Sequence, residues 1–210
     1  MSEHICDIDA LAEDATRAAA LLHRPILLGI DGPGASGKST LAGLLAERLP
    51  AAVVIHVDDF HLPSAERPRT ADAIAADVDL ARLETQVLRP AATGGTVRYR
   101  RYDWDLDRLA EWTELPPGTP LIVEGVHALH LRLRHVYTYR VFCDARREVR
   151  LSRGLARDGE SARRLWEDDW MPAEDRYLAT HRPHLRADVV LNSSVRTKGV
   201  GAPAYAVVAH

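Results

Sequence analysis

Residues 26–40, ILLGIDGPGASGKST, constrain the fold of this 210-residue chain more than any other stretch. The first five are mostly apolar, as in a buried strand of a parallel sheet, and residues 32–39 fit the pattern G-x-x-x-x-G-K-[ST] at every specified position. Leucines between Leu41 and Leu49 then recur at helical spacing. The stretch therefore predicts a strand, a phosphate-binding loop and a helix, in that order.

Each residue type in this loop suits phosphate. Glycines allow backbone N–H groups to converge on phosphate oxygens, Lys38 can reach the outer phosphates, and the Ser39 hydroxyl can hold Mg²⁺. The helix that begins near Lys38 adds the positive end of its dipole. The alternative, a Gly-rich turn with a surface lysine, does not explain the flanking strand and helix. The predicted nucleotide contacts are Gly32, Gly34, Ala35, Ser36, Gly37, Lys38, Ser39 and Thr40.

The composition points to small-molecule partners. A net charge of −3 with both signs mixed leaves no electrostatic footprint for nucleic acid or an anionic membrane, so neither partner is expected. The first residues are acidic where a signal peptide would be basic, and no apolar run approaches the roughly 20 residues that cross a bilayer. We therefore expect a cytoplasmic protein. Cys6 and Cys143 lack metal or redox spacing and are expected to be buried or free thiols.

Acidic residues follow two further buried strands. Residues 53–57 form a second predicted strand that delivers Asp58 and Asp59 to its end, and residues 121–123 form a third that ends in Glu124. Ligands of open parallel sheets bind beyond the carboxyl ends of the strands, so these acids should share a rim with the phosphate loop. Asp58 is the first candidate, and Asp59 the second, to accept a proton from the substrate or to hold magnesium. Glu124 could also hold magnesium. Solvated rim carboxylates are the alternative.

Apolar periodicity elsewhere predicts one α/β domain over residues 1–210. A Pro-containing charged segment at 62–76 is predicted to be a loop over the site. The other predicted elements are a helix over 8–22, a helix from 77 to 90, a β-arm over 97–102, strands over 139–143 and 187–191, a helical stretch over 165–177 broken at Pro172, and a C-terminal tail over 193–210.

The predicted helix after the fourth strand is rich in arginine. Arg150, Arg153 and Arg157 are spaced by three and four, so their side chains share one stripe. Such a run is usually a solvated helix face. Guanidinium groups that converge over a triphosphate would instead stabilise charge during transfer, and a helical lid can bring them there. We predict a lid over residues 150–172, with its turn at Asp158-Gly159.

Several motifs together resemble a known family. They are GPGASGKST, the strand end VDDFH, RYDW, IVEG, FCD followed by RLSRGLARD, and ADVVLN. Of these, VDDFH is similar to the family pattern Asp-x-Phe-Tyr, and RYDW is similar to the family pattern Tyr-Asp-Phe. On these motifs, roughly residues 26–192 resemble the uridine/cytidine kinase branch of the phosphoribulokinase and uridine kinase family. RLSRGLARD is close to R-L-x-R-R-x-x-R-D, with Gly154 in place of an arginine.

The resemblance implies a P-loop NTPase-type three-layer sandwich with a five-stranded parallel sheet and a helical lid. It implies transfer of the γ-phosphoryl group of ATP, with Mg²⁺, to a hydroxyl of a small acceptor, most closely the 5′-hydroxyl of uridine or cytidine. Carried over by position, the catalytic residues are Asp58, Lys38, Arg153 and Arg157, the acceptor-binding residues are Asp58, Asp59, His61, Tyr102 and Asp103, and the metal ligands are Ser39, Glu124 and Asp58.

Departures from the family pattern keep the acceptor open. His61 stands where a tyrosine is usual, and residues 63–76 and the stretch after Asp158 do not match the nucleoside kinases. Relatives with similar cores phosphorylate pantothenate, ribulose 5-phosphate, glycerate or nicotinamide riboside. A regulatory protein that hydrolyses or senses ATP is the alternative from another class. The sequence leaves the oligomeric state open, and a homo-oligomer is possible. It also leaves open the choice between ATP and GTP as the donor.

Overall fold

A seven-stranded sheet forms the centre of the molecule, in a computed structural model that describes residues 4–68, 74–194 and 205–208. A separate two-stranded hairpin, formed by the fourth and fifth strands, lies outside this sheet. In chain order the strands are β1 (His4–Ile5), β2 (Leu27–Asp31), β3 (Val53–His56), β4 (Val97–Asp103), β5 (Arg108–Leu115), β6 (Leu121–Glu124), β7 (Tyr139–Asp144), β8 (Val189–Asn192) and β9 (Ala206–Val207).

Helices connect the strands. A π-helical segment, Glu84–Leu88, joins the third and fourth helices. Among the described residues, no helix combines the length and apolarity needed to cross a membrane. In chain order the helices are α1 (Ile8–Leu21), α2 (Lys38–Ala46), α3 (Leu80–Leu83), α4 (Arg89–Ala92), α5 (Arg147–Asp158) and α6 (Met171–His181).

The order of the sheet is β1-β9-β8-β7-β2-β6-β3. The five strands from β8 to β3 are parallel, as predicted. The other two were not predicted: β9 pairs antiparallel with β8, and β1 pairs antiparallel with β9. Because β1 and β9 have two residues each, neither carries a periodic signal.

Two hydrophobic cores cover the two faces of the sheet. Leu27 belongs to the core that contains Phe60 and Leu83, while Leu28 belongs to the core that contains Leu11 and Leu41. Consecutive strand residues point to opposite faces, so β2 has a core on each side and all five of its residues are buried. The chain is thus an α/β three-layer sandwich of the P-loop NTPase type, which confirms the predicted fold class.

The segment predicted as a C-terminal tail contributes to the sheet. Tyr205 is buried, and its carbonyl accepts a hydrogen bond from the Cys6 N–H at 2.7 Å, directly before the β9 strand. The prediction of a tail over 193–210 is therefore wrong for its described part near β9. The rest of that segment, 195–204 and 209–210, lies outside the described residues, as do 69–73 of the predicted loop over the site.

The predicted break at Pro172 is also wrong. A π-helical segment, Leu165–Trp170, runs directly into α6, and Pro172 occupies the first turn of that helix. The preceding turn is π-helical, with i→i+5 hydrogen bonds, so Pro172 does not interrupt a regular α-helical i→i+4 ladder at this point. The described thiols agree with the sequence: Cys6 and Cys143 are both free, and Cys143 is buried.

Candidate active site

Three neighbouring strands end at one edge of the sheet. β6 lies between β2 and β3, and Glu124 at its end is in register with Ile30 on one side and His56 on the other. The phosphate loop leaves β2, and the turn Val57–Phe60 that carries Asp58 leaves β3. The loop and both predicted acids therefore share one rim, as expected for a parallel sheet.

The loop has the tight path that its sequence predicts. Gly32 has φ +149°, and a Cβ there would lie 2.0 Å from the carbonyl oxygen of Cys143, so only glycine fits. Lys38 is buried, and its Nζ donates to the Pro33 carbonyl at 3.0 Å across the loop. The Oγ of Ser36 is buried and has no hydrogen-bond partner among the residues that the structure describes, which leaves a polar atom of the loop available to a phosphate oxygen.

A hydroxyl and a carboxylate suited to magnesium meet beside the loop. The Ser39 hydroxyl donates to Oε1 of Glu124 at 3.1 Å, and Nδ1 of His56 lies 2.5 Å from the same oxygen. Burial works to raise the pKa of Glu124, but the hydrogen bond to His56 and the charge of Lys38 outweigh it and leave the pKa lowered. This carboxylate is held ionised. The hydrogen bond to Glu124 in turn raises the pKa of His56.

The same pair fits the coordination habits of Mg²⁺. Within the described ranges, no three His, Cys, Asp or Glu side chains are grouped so that they could hold a metal ion. Mg²⁺ is commonly bound by one or two protein oxygens together with phosphate and water, and does not need such a cage. Ser39 and Glu124 match that pattern.

The two candidate base residues differ in their surroundings. Asp58 is exposed, whereas Asp59 is half-buried and burial raises its pKa. Burial lowers the pKa of His61, and the negative charges of Asp77 and Asp58 oppose this decrease. Hydrogen bonds to the next side chain raise the pKa of Arg157, and the charge of Asp58 adds to that rise. Asp58 thus lies close enough to His61 and Arg157 for its charge to affect the pKa of each.

Aromatic rings gather around His61, which follows the turn at the end of β3. The ring centroid of Trp104 lies 4.8 Å from that of His61 and 4.8 Å from that of Tyr102. The guanidinium of Arg67 lies 5.4 Å from the Tyr102 ring centroid, and Arg67 donates to the Tyr102 hydroxyl at 3.0 Å. We call His61, Tyr102, Trp104 and Arg67 the aromatic cluster. The structure brings the predicted His61 and Tyr102 together and adds Trp104 and Arg67.

Asp103 has the contacts of a turn residue. Its Oδ1 accepts the N–H of Asp105 at 3.1 Å and the N–H of Leu106 at 3.0 Å, at the start of the turn between β4 and β5. Asx turns of this kind are common at hairpins. The acceptor-binding role of Asp103 stays a prediction that these contacts do not support.

The arginine stripe of α5 divides into three environments. Arg150 is buried and donates to Glu174 at 2.8 Å. Arg153 donates to the hydroxyl and the carbonyl of Ser193 at 2.8 and 2.7 Å. Arg157 is exposed and pairs with the carboxylate of the residue that follows it at 2.7 Å. The helix ends at Asp158 as predicted, but only two of the three arginines face solvent.

Comparisons with known proteins agree with this geometry. Residues 27–168 match the model of the Phosphoribulokinase / Uridine kinase family. The chain belongs to this family. Its members include the uridine kinase of Alkaliphilus metalliredigens (strain QYMF), which is 32% identical over 175 residues that cover 79% of this chain and 82% of the relative. The uridine kinase of Chloroflexus aggregans (strain MD-66 / DSM 9485) is 30% identical over 171 residues, 76% of this chain and 78% of the relative.

A solved structure supports the same assignment. The chain described as a possible uridine kinase from Bacillus stearothermophilus superposes with a TM-score of 0.65 and 25% identity, over 87% of this chain and 96% of that one. The resemblance inferred from the motifs is confirmed, and the chain is a P-loop kinase of the phosphoribulokinase and uridine kinase family.

One buried acid at a strand end of this kinase was not among the residues predicted from the sequence. Asp31 ends β2, is fully buried, and accepts the Gly32 N–H at 2.6 Å, the Leu129 N–H at 2.7 Å and the Tyr177 hydroxyl at 2.5 Å. Burial raises its pKa to about 6. The rule that pointed to Glu124, an acid after a buried strand, applies equally to Asp31 and would have found it.

Two other residues at the loop had no sequence signal. His127, in the segment after β6, has φ +77° and lies with its ring centroid 4.6 Å from that of Tyr177. Burial lowers its pKa to about 3, so the imidazole is neutral. Tyr205 donates to the Gly37 carbonyl at 2.7 Å from 168 positions away. Spacing rules cover single elements and do not relate such distant positions.

The glycine that departs from the family pattern makes room for a tryptophan. A Cβ at Gly154 would lie 2.4 Å from Cε2 of Trp166, a fully buried side chain. Trp166 also donates from Nε1 to Asp158 at 3.0 Å. A larger residue at Gly154, such as the arginine of the nucleoside-kinase pattern, therefore requires a different position of this ring.

We expect Gly154→Ala to destabilise the protein. The overlap with Trp166 should cost about 1 to 3 kcal/mol, more than the ~1 kcal/mol that alanine gains over glycine inside a helix. Gly43→Ala in α2 is the matched control, since a Cβ at Gly43 meets nothing within 4 Å and should stabilise. Urea unfolding measures both. If the Gly154 variant is as stable as the Gly43 variant, the packing argument is wrong.

Proposed function

We propose that this protein is an ATP- and magnesium-dependent kinase that transfers a γ-phosphoryl group to a hydroxyl of a small molecule, with the 5′-hydroxyl of uridine or cytidine as the acceptor. The observation that carries the proposal is the Ser39–Glu124 pair at the phosphate loop, with Asp58 exposed at the end of the adjacent strand. The uridine kinases among its relatives support the choice of acceptor.

The donor half of the site would be built from the loop. Backbone N–H groups and Lys38 would hold the phosphates, and Ser36 would supply a further donor from its unpaired hydroxyl. Ser39 and Glu124 would hold Mg²⁺, which when bound supplies charge neutralisation on the phosphate oxygens. Lys38, which is buried, would act in a site of low dielectric, where its charge is strongest.

The acceptor half would place a hydroxyl against Asp58. The hydroxyl oxygen forms a bond to the γ-phosphorus as the bond from that phosphorus to the β–γ bridging oxygen breaks, and Asp58 accepts the hydroxyl proton. Arg157, whose pKa responds to the charge of Asp58, would offset charge on the transferred group, with Arg153 in support. The aromatic cluster offers ring faces to a planar base.

An acceptor panel tests the proposal. Purified protein with ATP and Mg²⁺ is offered uridine, cytidine, pantothenate, glycerate and nicotinamide riboside, and ADP formation is followed. We expect acceptor-dependent turnover with uridine or cytidine. Turnover with another member of the panel would support the proposed kinase activity but show that the proposed acceptor is wrong. ATP hydrolysis without dependence on any acceptor would contradict the proposal and favour a regulatory ATPase.

A further inference from the structure

Helix α6 contacts the phosphate loop at two points. Oε1 of Glu174 accepts the Gly34 N–H at 2.7 Å. Tyr177 donates to Asp31 at 2.5 Å, and Asp31 accepts the Gly32 N–H at 2.6 Å. Residues three apart lie on the same helix face, so Glu174 and Tyr177 form one edge of α6 against the loop. Part of the segment after the predicted lid is therefore joined to the donor site.

Glu174 is a buried anion at this contact. Its residue exposure is 8%, and its second oxygen, Oε2, lies 2.8 Å from the NH1 of Arg150, which is 5% exposed. Burial raises the pKa of Glu174, while the Gly34 N–H and the charges of Lys38 and Arg150 act against that rise. Nε of Arg150 is buried without a hydrogen-bond partner in the described chain. The pair thus leaves one guanidinium donor unused beside the loop.

The contact leaves no spare room. A Cβ at Gly34 would lie 2.7 Å from Oε1 of Glu174 and 3.0 Å from Cη2 of Trp166. Glu174 also lies close enough to Lys38 for the lysine charge to affect its pKa. A phosphate oxygen that reaches both Lys38 and the Gly34 N–H would therefore contact the carboxylate of Glu174. Two anions in contact repel each other strongly when they are buried, as Glu174 is.

We propose that the carboxylate of Glu174 and the outer phosphates of the donor compete for the same backbone N–H of the phosphate loop. In this structure the carboxylate accepts that N–H, which belongs to Gly34. When a di- or triphosphate binds, Glu174 yields this N–H to the phosphate, and Arg150 neutralises both anions from its buried position. The inference rests on the proposed use of a nucleoside triphosphate, but not on the identity of the acceptor.

The substitution Glu174→Gln tests the charge while it keeps the shape. We expect ATP and inorganic triphosphate to bind about tenfold more tightly, because the competing anion is gone, and AMP affinity to stay unchanged. KM for ATP should fall with Kd, whereas kcat should not rise. Asp175→Asn is the matched control, since Asp175 is exposed and pairs with Arg147 at 2.9 Å. Calorimetric titration without any acceptor gives the affinities.

The outcomes separate the inference from the proposed function. Unchanged or weaker triphosphate binding by the Glu174 variant would overturn the inference even if the acceptor panel succeeds. Tighter binding would support it even if no acceptor is found. If neither ATP nor triphosphate binds either protein, both proposals are wrong.

A second measurement uses the wild-type chain and does not depend on the folding of a variant. NMR of the side-chain carboxyl groups should show that ATP shifts the ¹³C signal of Glu174, because its carboxylate has given up the Gly34 N–H. An unshifted Glu174 signal in a protein that binds ATP would show that Glu174 keeps this bond, and would overturn the inference.

Discussion

Asp58→Asn is expected to lower kcat by about 10²- to 10⁴-fold, with ATP affinity changed by no more than about twofold. Asparagine keeps the shape of Asp58 but cannot take a proton from the acceptor hydroxyl. ATP affinity should persist because the proposed donor contacts lie on the loop and on Glu124, at the ends of other strands. Steady-state kinetics with the active acceptor, together with calorimetric ATP titration, measure the two quantities separately.

Asp59→Asn is the matched control for this experiment. Asp59 is the adjacent residue, is half-buried, and interacts electrostatically with His56 and Arg101. We expect its substitution to change kcat by less than about tenfold, because it can shift the neighbouring Asp58 slightly but does not remove the group that accepts the proton. The opposite result, with activity lost at Asp59 and kept at Asp58, would reverse the assignment of the base. Equal indifference at both positions would favour a nucleotide-dependent regulatory protein.

Lys38→Met is expected to lower kcat/KM by about 10²- to 10³-fold, and kcat and ATP affinity should both contribute. Methionine preserves much of the apolar stem of the buried side chain but removes the ammonium group, which donates to Pro33 at 3.0 Å across the loop. Because this hydrogen bond holds the ammonium group across the loop, its contribution to the transition state carries little reorganisation cost.

Arg48→Met controls for the loss of a positive charge near α2. Arg48 follows the end of α2, away from the loop, and pairs with Asp9 at 2.9 Å on the surface. Exposed pairs of this kind contribute about 0 to 1 kcal/mol, so activity should be close to that of wild type. If both variants lose activity to the same degree, the effect of Lys38 is a general charge effect and its assignment to the phosphates is wrong.

The donor half of the site could be predicted from the sequence because its determinants are local. The path of the loop depends on Gly32 and Gly37, which both have positive φ values. The motif specifies glycine at these two positions, the residue type that adopts such values most easily. Asp58 and Glu124 follow apolar runs, and the geometry of a parallel sheet places such strand ends on one rim. These inferences need only neighbours in sequence and one rule about the sheet.

The contacts of the predicted acceptor residues and of the arginine-rich helix could be predicted less well. Tyr102 and His61 meet as expected, but Arg67 and Trp104 join them only through the fold of the hairpin and of the segment before it. The spacing of three and four predicted that Arg150 shares one stripe of the helix with Arg153 and Arg157. Packing instead buries Arg150 against Glu174, because helix α6 covers that part of α5.

The sequence by itself determined that this chain has a phosphate loop on a parallel sheet with acids at the neighbouring strand ends, since periodicity and turn chemistry act over a few residues. Only the tertiary structure decided what holds the loop from outside. Glu174 meets Gly34 across 140 positions and Tyr205 meets Gly37 across 168. Neither pairing has a local pattern, because burial selects the partner of a backbone group only after distant elements have packed together.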